Sequence, residues 1–208
     1  WIIGEDIVQT DPNSAHVVEA MNSLELLVVQ EIFMSETAKL ATVVLPGTTF
    51  LEKDGTFTNT ERRIQRVNRA VEPLPGTKPD GLIVTEMMKK LGFDQPTYDA
   101  DQVLSEIADV VPFFKGVTRE RLGKLGLQWP VQEDGTDTQI LHTETFKLGK
   151  GRLKNFDWKE STEIETNHKK YPLILTTSRV LQHYNAATMT RRTKNINIVD
   201  EDVLLIHP

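Results

Sequence analysis

The 208-residue chain contains no cysteine. Disulfides, thiolate metal sites and cysteine-held iron–sulfur clusters are thereby excluded within it. No apolar run approaches bilayer-spanning length, so no membrane segment is expected. Acidic residues outnumber basic ones, 30 to 24, for a net charge of -6. Such a chain lacks the basic footprint that neutralises a phosphate backbone, so nucleic acid is not an expected partner and any anion site must be local. Neither G-x-x-x-x-G-K-[ST], G-x-G-x-x-G nor G-x-S-x-G occurs, and His16, His142, His168, His183 and His207 have no metal-ligand spacing. No catalytic residue and no metal ligand is therefore expected. The chain opens at Trp1-Ile2-Ile3, which reads as a strand interior without initiator methionine, and a piece of a longer polypeptide is expected.

What remains is ordinary globular composition, 38% hydrophobic and 26% charged, with room for one large or two small domains. Trp1 to Ile3 reads as a strand ending at Gly4. Asp11-Pro12 should cap a helix carrying Val17, Met21 and Leu24 on one face. Leu26 to Val29 and Thr42 to Leu45 are continuous apolar runs of strand length, and Ser35 should cap a short helix between them. Strand, helix, strand, helix, strand predicts an α/β fold with a doubly wound, mostly parallel sheet. Arg62 to Val71 reads as either a strand or an extended arm. Asp80 should cap a helix ended by Gly92, Asp99 should start another, and Thr118 a third. The polar stretch 132–159 is expected to hold a hairpin, and Leu173 to Leu175 to be a new buried strand. A domain boundary is placed near Asn167, giving domains 1–166 and 167–208.

The run Leu45-Pro46-Gly47-Thr48-Thr49-Phe50-Leu51-Glu52-Lys53-Asp54-Gly55-Thr56-Phe57-Thr58-Asn59-Thr60-Glu61-Arg62-Arg63-Ile64-Gln65 passes from an apolar strand through proline into glycine, threonine and paired charges. Ligands of open α/β sheets bind at such strand ends. Glu5 and Asp6, after a strand and a glycine, are either exposed turn acids or acceptors for ribose hydroxyls or a guanine edge. Gln30 ends a strand, where its amide can pair with a nucleotide or with neighbouring backbone. Arg62, Arg63, Arg66 and Arg69 form a solvated face or supply a fork for pyrophosphate. Arg179, His183 and Tyr184 follow Leu173-Ile174-Leu175, a combination suited to phosphate or heterocycle edges.

Thr42 to Gln65 resembles a signature of the molybdopterin oxidoreductases, and its doubled arginine resembles the formate dehydrogenase catalytic (alpha) subunit. Gly4-Glu5-Asp6, Val28-Val29-Gln30-Glu31-Ile32-Phe33, Thr77-Lys78-Pro79-Asp80 and Arg179-Val180-Leu181-Gln182-His183-Tyr184 extend the resemblance. The resemblance implies oxidation of formate to carbon dioxide in the intact enzyme. It implies a bis(molybdopterin guanine dinucleotide) cofactor carrying molybdenum or tungsten, and a [4Fe-4S] cluster held, like the metal's ligand, outside this chain. Asp6, Thr10, Gln30, Gly47 and Asp80 match cofactor-contacting positions, with Asp80 a guanine-binding carboxylate. Arg179, His183 and Asn185 match the loop contacting the second dinucleotide. Ile7 replaces a usual proline and Gly81 a usual tryptophan. Electron-acceptor subunits, a cytoplasmic location and a β-barrel domain beginning after Asn167 are likewise implied. A similar fold serves as a scaffold in the iron–sulfur subunit of NADH dehydrogenase, and nitrate reductases share the cofactor; both are alternatives.

Overall fold

Ile2–Ile3 (β1), Val28–Glu31 (β2) and Val43–Pro46 (β3) form a parallel sheet in that order in the computed structural model, which describes residues 1–206. Ile2 lies opposite Val29, and Val29 opposite Val44. Branched apolar residues favour this pleated packing, and the crossovers supply helices to cover it. These helices are Ile7–Thr10 (α1), Ser14–Asn22 (α2) and Glu36–Lys39 (α3). Met21, Leu27, Val29 and Ala38 form the buried core, packed against Ile2, Val17 and Val44. The fold is mixed α/β, with the parallel strands expected from the sequence.

Local details differ. Asp11 does not cap α2; it closes α1, its amide donating to the Ile7 carbonyl, while Asn13 in left-handed conformation (φ 57°) precedes α2. Leu24 is exposed because α2 ends at Asn22. The Ser35 hydroxyl caps α3 by accepting from the Ala38 amide, as expected.

A second, antiparallel sheet joins Gly55–Thr58 (β4), Arg63–Val67 (β5) and Leu127–Gln128 (β6). Of Arg62 to Val71, read as a strand or an extended arm, Arg63–Val67 is the strand and Asn68 to Val71 lies outside it. Asn59 Oδ1 accepts from the amides of Glu61 and Arg63, and Arg62 takes φ 67° to close the β4–β5 hairpin. Asp80–Lys90 (α4), Ala100–Val110 (α5) and Arg119–Leu122 (α6) complete this part. Asp99 and Thr118 cap α5 and α6. α4 ends in a Schellman motif, Gly92 at φ 88° with Phe93 N donating to the Met88 carbonyl and Gly92 N to that of Lys89. Ile64, Leu104, Val117, Leu122 and Val131 form the second core.

Trp1–Thr143 is one compact unit and Glu144 onward another. The expected turn at Asp134-Gly135 forms, Gln132 N donating to the Thr136 carbonyl at 2.8 Å, but no strands flank it, so the hairpin of 132–159 is absent among the described residues. In the second unit the described elements are a helix, Thr162–Asn167 (α7), and 3-10 turns at Thr190–Arg192 and Lys194–Asn197. Leu173 to Leu175, read as a buried strand, is about three-quarters exposed and outside any strand. A strand needs a neighbour for its backbone groups, and the described residues of this unit offer none. His207 lies outside the described residues.

Candidate functional site

The three parallel strands deliver their carboxyl ends to one rim. Gly4 N, after β1, donates to the Gln30 carbonyl at 2.9 Å; Gly47 N, after β3, donates to the Glu31 carbonyl at 3.0 Å. Lys78 N donates to the Pro46 carbonyl, which brings the start of α4 to the same edge. Asp6, Gln30, Gly47 and Asp80 therefore meet along the strand ends, although as many as 74 positions separate them in sequence.

Asp80 is not the helix cap expected of it. Pro79 occupies that position. Tertiary donors have claimed it instead: Oδ1 accepts from Gln30 Nε2 at 2.8 Å and Oδ2 from Lys53 Nζ at 2.5 Å. Partial burial alone would raise its pKa, but the hydrogen bonds from Lys53 and Gln30, with the lysine's charge, hold it below the ordinary carboxylate value. Gly47 explains itself here. A Cβ at that position would lie 3.0 Å from Asp80 Oδ1.

Gly81 is explained by Tyr98. A Cβ on Gly81 would meet Tyr98 Cε2 at 2.2 Å, so the tyrosine ring fills the space that a side chain would need. Burial pushes the Tyr98 hydroxyl's pKa up, and the charges of Asp80 and Asp99 add to it. Tyr98, Lys53 and Asp80 line a cavity of about 230 Å³ whose other walls include Phe57, Val67 and Val103.

Asp6 is not an exposed turn acid. It is 5% exposed; Oδ1 accepts from Thr37 N at 2.9 Å and Thr37 Oγ1 at 2.7 Å, while Oδ2 accepts from Gln9 Nε2 at 2.6 Å. It ties the β1–α1 turn to α3. Thr10, on the exposed side, donates to Glu5 Oε1 at 2.9 Å. Two buried polar atoms at the rim have no partner among the described residues: Gln30 Oε1 and Thr48 Oγ1. An orphan of this kind costs roughly 1–3 kcal/mol, which singles the rim out.

The arginines of the cluster have partners within the chain. Arg62 donates to the carbonyls of Trp129, Thr138 and Gln139 and lies over the Trp129 ring, so it clamps the hairpin to a neighbouring loop. Arg63 pairs with Glu61, Arg66 with Asn68 and Arg69 with Glu72.

In the second unit, Arg179 and Asn185 bond to each other at 3.1 Å and are exposed. His183 is half-buried; Nε2 donates to the Val199 carbonyl at 2.7 Å, which leaves Nδ1 to accept from Thr190 Oγ1 at 3.0 Å in the neutral ring. The three residues lie within one small fold of chain.

Sequence reasoning missed Lys53, Thr48 and Tyr98. For Thr48 the hydroxyl pair after a strand-ending proline and glycine was a usable signal. Gly81, a side-chain-free position on the first turn of a helix, signalled that something packs there. Lys53 gave no local sign. Among the described residues no three His, Cys, Asp or Glu side chains group as a metal site, and no helix is long and apolar enough to cross a membrane.

The fold is a mixed α/β domain with a three-strand parallel sheet. Residues 1–90 match the family model described as molybdopterin oxidoreductase, and the chain belongs to that family. It is 43% identical to the F420-dependent formate dehydrogenase subunit alpha of Methanocaldococcus jannaschii, over all of this chain and 32% of the relative. It is 44% identical to the F420-dependent formate dehydrogenase 2 subunit alpha of Methanococcus maripaludis, over 99% of this chain and 31% of that one. A probable oxidoreductase of Bacillus subtilis is 40% identical over 99% of this chain and 21% of its own length. The chain thus spans about a third or less of these relatives. In fold it is similar to acetylene hydratase from Pelobacter acetylenicus, with TM-score 0.50 and 21% identity over 86% of this chain and 27% of that one.

Proposed function

We propose that this chain is the cofactor-holding segment of a molybdenum- or tungsten-dependent formate dehydrogenase alpha subunit, with residues 1–166 as its α/β domain and 167–208 beginning a β-barrel domain. The observation that carries this reading is the rim itself. Gln30 Oε1 and Thr48 Oγ1 are buried with no partner among the described residues, Gln30 bonds to Asp80 through Nε2, and Gly47 precedes Thr48 in the chain. A scaffold with no ligand gains nothing from such orphans, whereas a ribose or purine edge satisfies them. The relatives of 40–44% identity along the whole chain support the same assignment.

Gln30, Gly47, Thr48 and Asp80 would hold the guanine dinucleotide end of one pterin. Arg179, His183 and Asn185 would face a second. Asp6 acts by fixing the turn that presents Thr10. When bound, the metal–pterin group supplies the two-electron redox chemistry of formate oxidation. The chain's own share is hydrogen bonding, charge and exclusion of water at the nucleotide end. The metal ligand, the [4Fe-4S] cluster and the groups acting on formate would belong to other residues, with acceptor subunits beyond them in a cytoplasmic assembly.

Calorimetric titration of the chain with GMP, repeated with Asp80→Ala, tests this. Binding lost on substitution is expected. Binding that ignores Asp80→Ala would place the site elsewhere, and formate-dependent dye reduction by this chain alone would refute the division of labour.

A further inference from the structure

Lys53 and Asp80 face one cavity together. Their ion pair, 2.5 Å from Nζ to Oδ2, is part-buried, with the lysine side chain 24% exposed. A carboxylate offers only acceptors and an ammonium only donors. Gln30 takes one site on Oδ1 and Lys53 one on Oδ2, and the Asp80 backbone amide contributes a third bond, so the carboxylate keeps acceptor capacity, while Nζ keeps protons for which the described residues supply no second partner. Beyond this edge the walls include Tyr98, Phe57, Val67 and Val103, with Asp54 and Thr56 as further polar members. The result is a mostly apolar slot with the acceptors of Asp80 and the donor of Lys53 on one wall.

At about 230 Å³ the slot is smaller than the roughly 300–1,000 Å³ that encloses a whole drug-sized ligand. It takes a ring system. The ring edge that matches two acceptors beside a donor is that of a 2-amino-6-oxopurine: N1–H and the 2-amino group toward the carboxylate, O6 toward the ammonium. Adenine inverts the pattern, setting its 6-amino donor against Lys53 and its N1 acceptor against Asp80.

We infer that Lys53 is a specificity-determining residue of this site, reading O6 of the purine while Asp80 reads N1 and the 2-amino group. This rests on the reading that Asp80 faces a guanine moiety. Lys53 is the new element, and it makes selectivity a property of a pair rather than of one acid. Removing a hydrogen-bond partner designed for one edge costs the matching ligand more than the mismatched one.

The test is calorimetric titration of the 208-residue chain with GMP, IMP and AMP. The expected order is GMP, then IMP, which lacks the 2-amino group, then AMP. Lys53→Met should weaken GMP and IMP alike by about tenfold, the scale of one charge-assisted hydrogen bond, and leave AMP unchanged or slightly tighter. Lys53→Arg should restore part of the preference. A uniform loss for all three nucleotides would mark Lys53 as structural and overturn the inference. So would unchanged GMP affinity in Lys53→Met. If Asp80→Ala abolishes GMP binding in that case, only the lysine assignment falls; if Asp80→Ala is also silent, the reading of the rim falls with it. The wild-type chain provides a check that needs no variant, because equal affinity for GMP and AMP, or none for either, overturns the assignment.

Discussion

The rim of the parallel sheet and the Arg179–Arg191 segment are built on different plans. At the rim, polar groups far apart in sequence are brought together: Gln30 with Asp80, Lys53 with Asp80, Asp6 with Thr37. In the second unit the bonds are short-range, from Arg179 to Asn185 and from His183 to Thr190 and Val199, amid exposed apolar residues such as Leu173 and Leu181. The first arrangement is fixed by a core. It can therefore tolerate buried atoms without partners, while the second satisfies itself locally and holds its groups near the surface. Preorganisation for the proposed ligand is thus to be sought in the first region.

Asp6→Ala should break that difference most severely. The substitution strips buried acceptors from Thr37 N, Thr37 Oγ1 and Gln9 Nε2. Two of these donors sit at the base of α3, and orphaned buried groups cost about 1–3 kcal/mol each, so a loss of about 3 kcal/mol is expected in urea unfolding. His183→Ala, whose partners stay near solvent, should cost about 1 kcal/mol. Equal losses would show that both regions are fixed alike.

Asp80→Asn sharpens the contrast through pH. The carboxylate's pKa in the folded chain lies below its ordinary value, since the hydrogen bonds and charge of Lys53 and Gln30 outweigh burial. Such a group contributes stability above the ordinary carboxylate range, and that contribution disappears as pH falls through the lower folded value. Wild type should therefore exceed Asp80→Asn at pH 7, with the gap closing in strong acid. Both side chains are part-exposed, so screening keeps the gap to about 1 kcal/mol. Urea midpoints across the acid range decide it, and a gap that widens on acidification would contradict the assigned charge state. Gly47→Ala acts on the same oxygen more gently: its Cβ, 3.0 Å from Oδ1, should lower GMP affinity several-fold with less than about 1 kcal/mol lost in stability.

Much of this was legible in the chain because it depends on near neighbours. Ser35, Asp99 and Thr118 cap as residues of their type do, and Gly92 ends α4 by taking a backbone conformation that others avoid. The three parallel strands followed from apolar runs of the right length. Asp80 was misread as a cap because the competitors for its carboxylate are 50 and 27 residues away. Asp11 was misread because α1 precedes α2 and uses it first. β4 and β6 carry only four and two residues with glycine, threonine and glutamine among them, too short for alternation to register. Gly81, noted in the sequence only as standing where a tryptophan is usual, leaves the space that Tyr98 fills from 17 residues away.

Arg179→Ala should have the smallest effect on folding and the most telling one on binding. Its recorded partner is the Asn185 carboxamide at 3.1 Å, six residues on, and both side chains are exposed. A neutral acceptor near solvent contributes little, so stability should change by less than about 0.5 kcal/mol, a shift in melting temperature of at most about 2 °C for a chain of this size. The guanidinium nonetheless keeps several donors in a rigid fork, a form suited to a phosphate or a heterocycle edge. If it serves a ligand, affinity for a guanine dinucleotide should fall several-fold in the variant while the unfolding curve stays in place. The opposite pattern, a clear loss of stability with unchanged affinity, would make Arg179 a local brace like Arg62. The second unit would then satisfy its own polar groups and hold none in readiness.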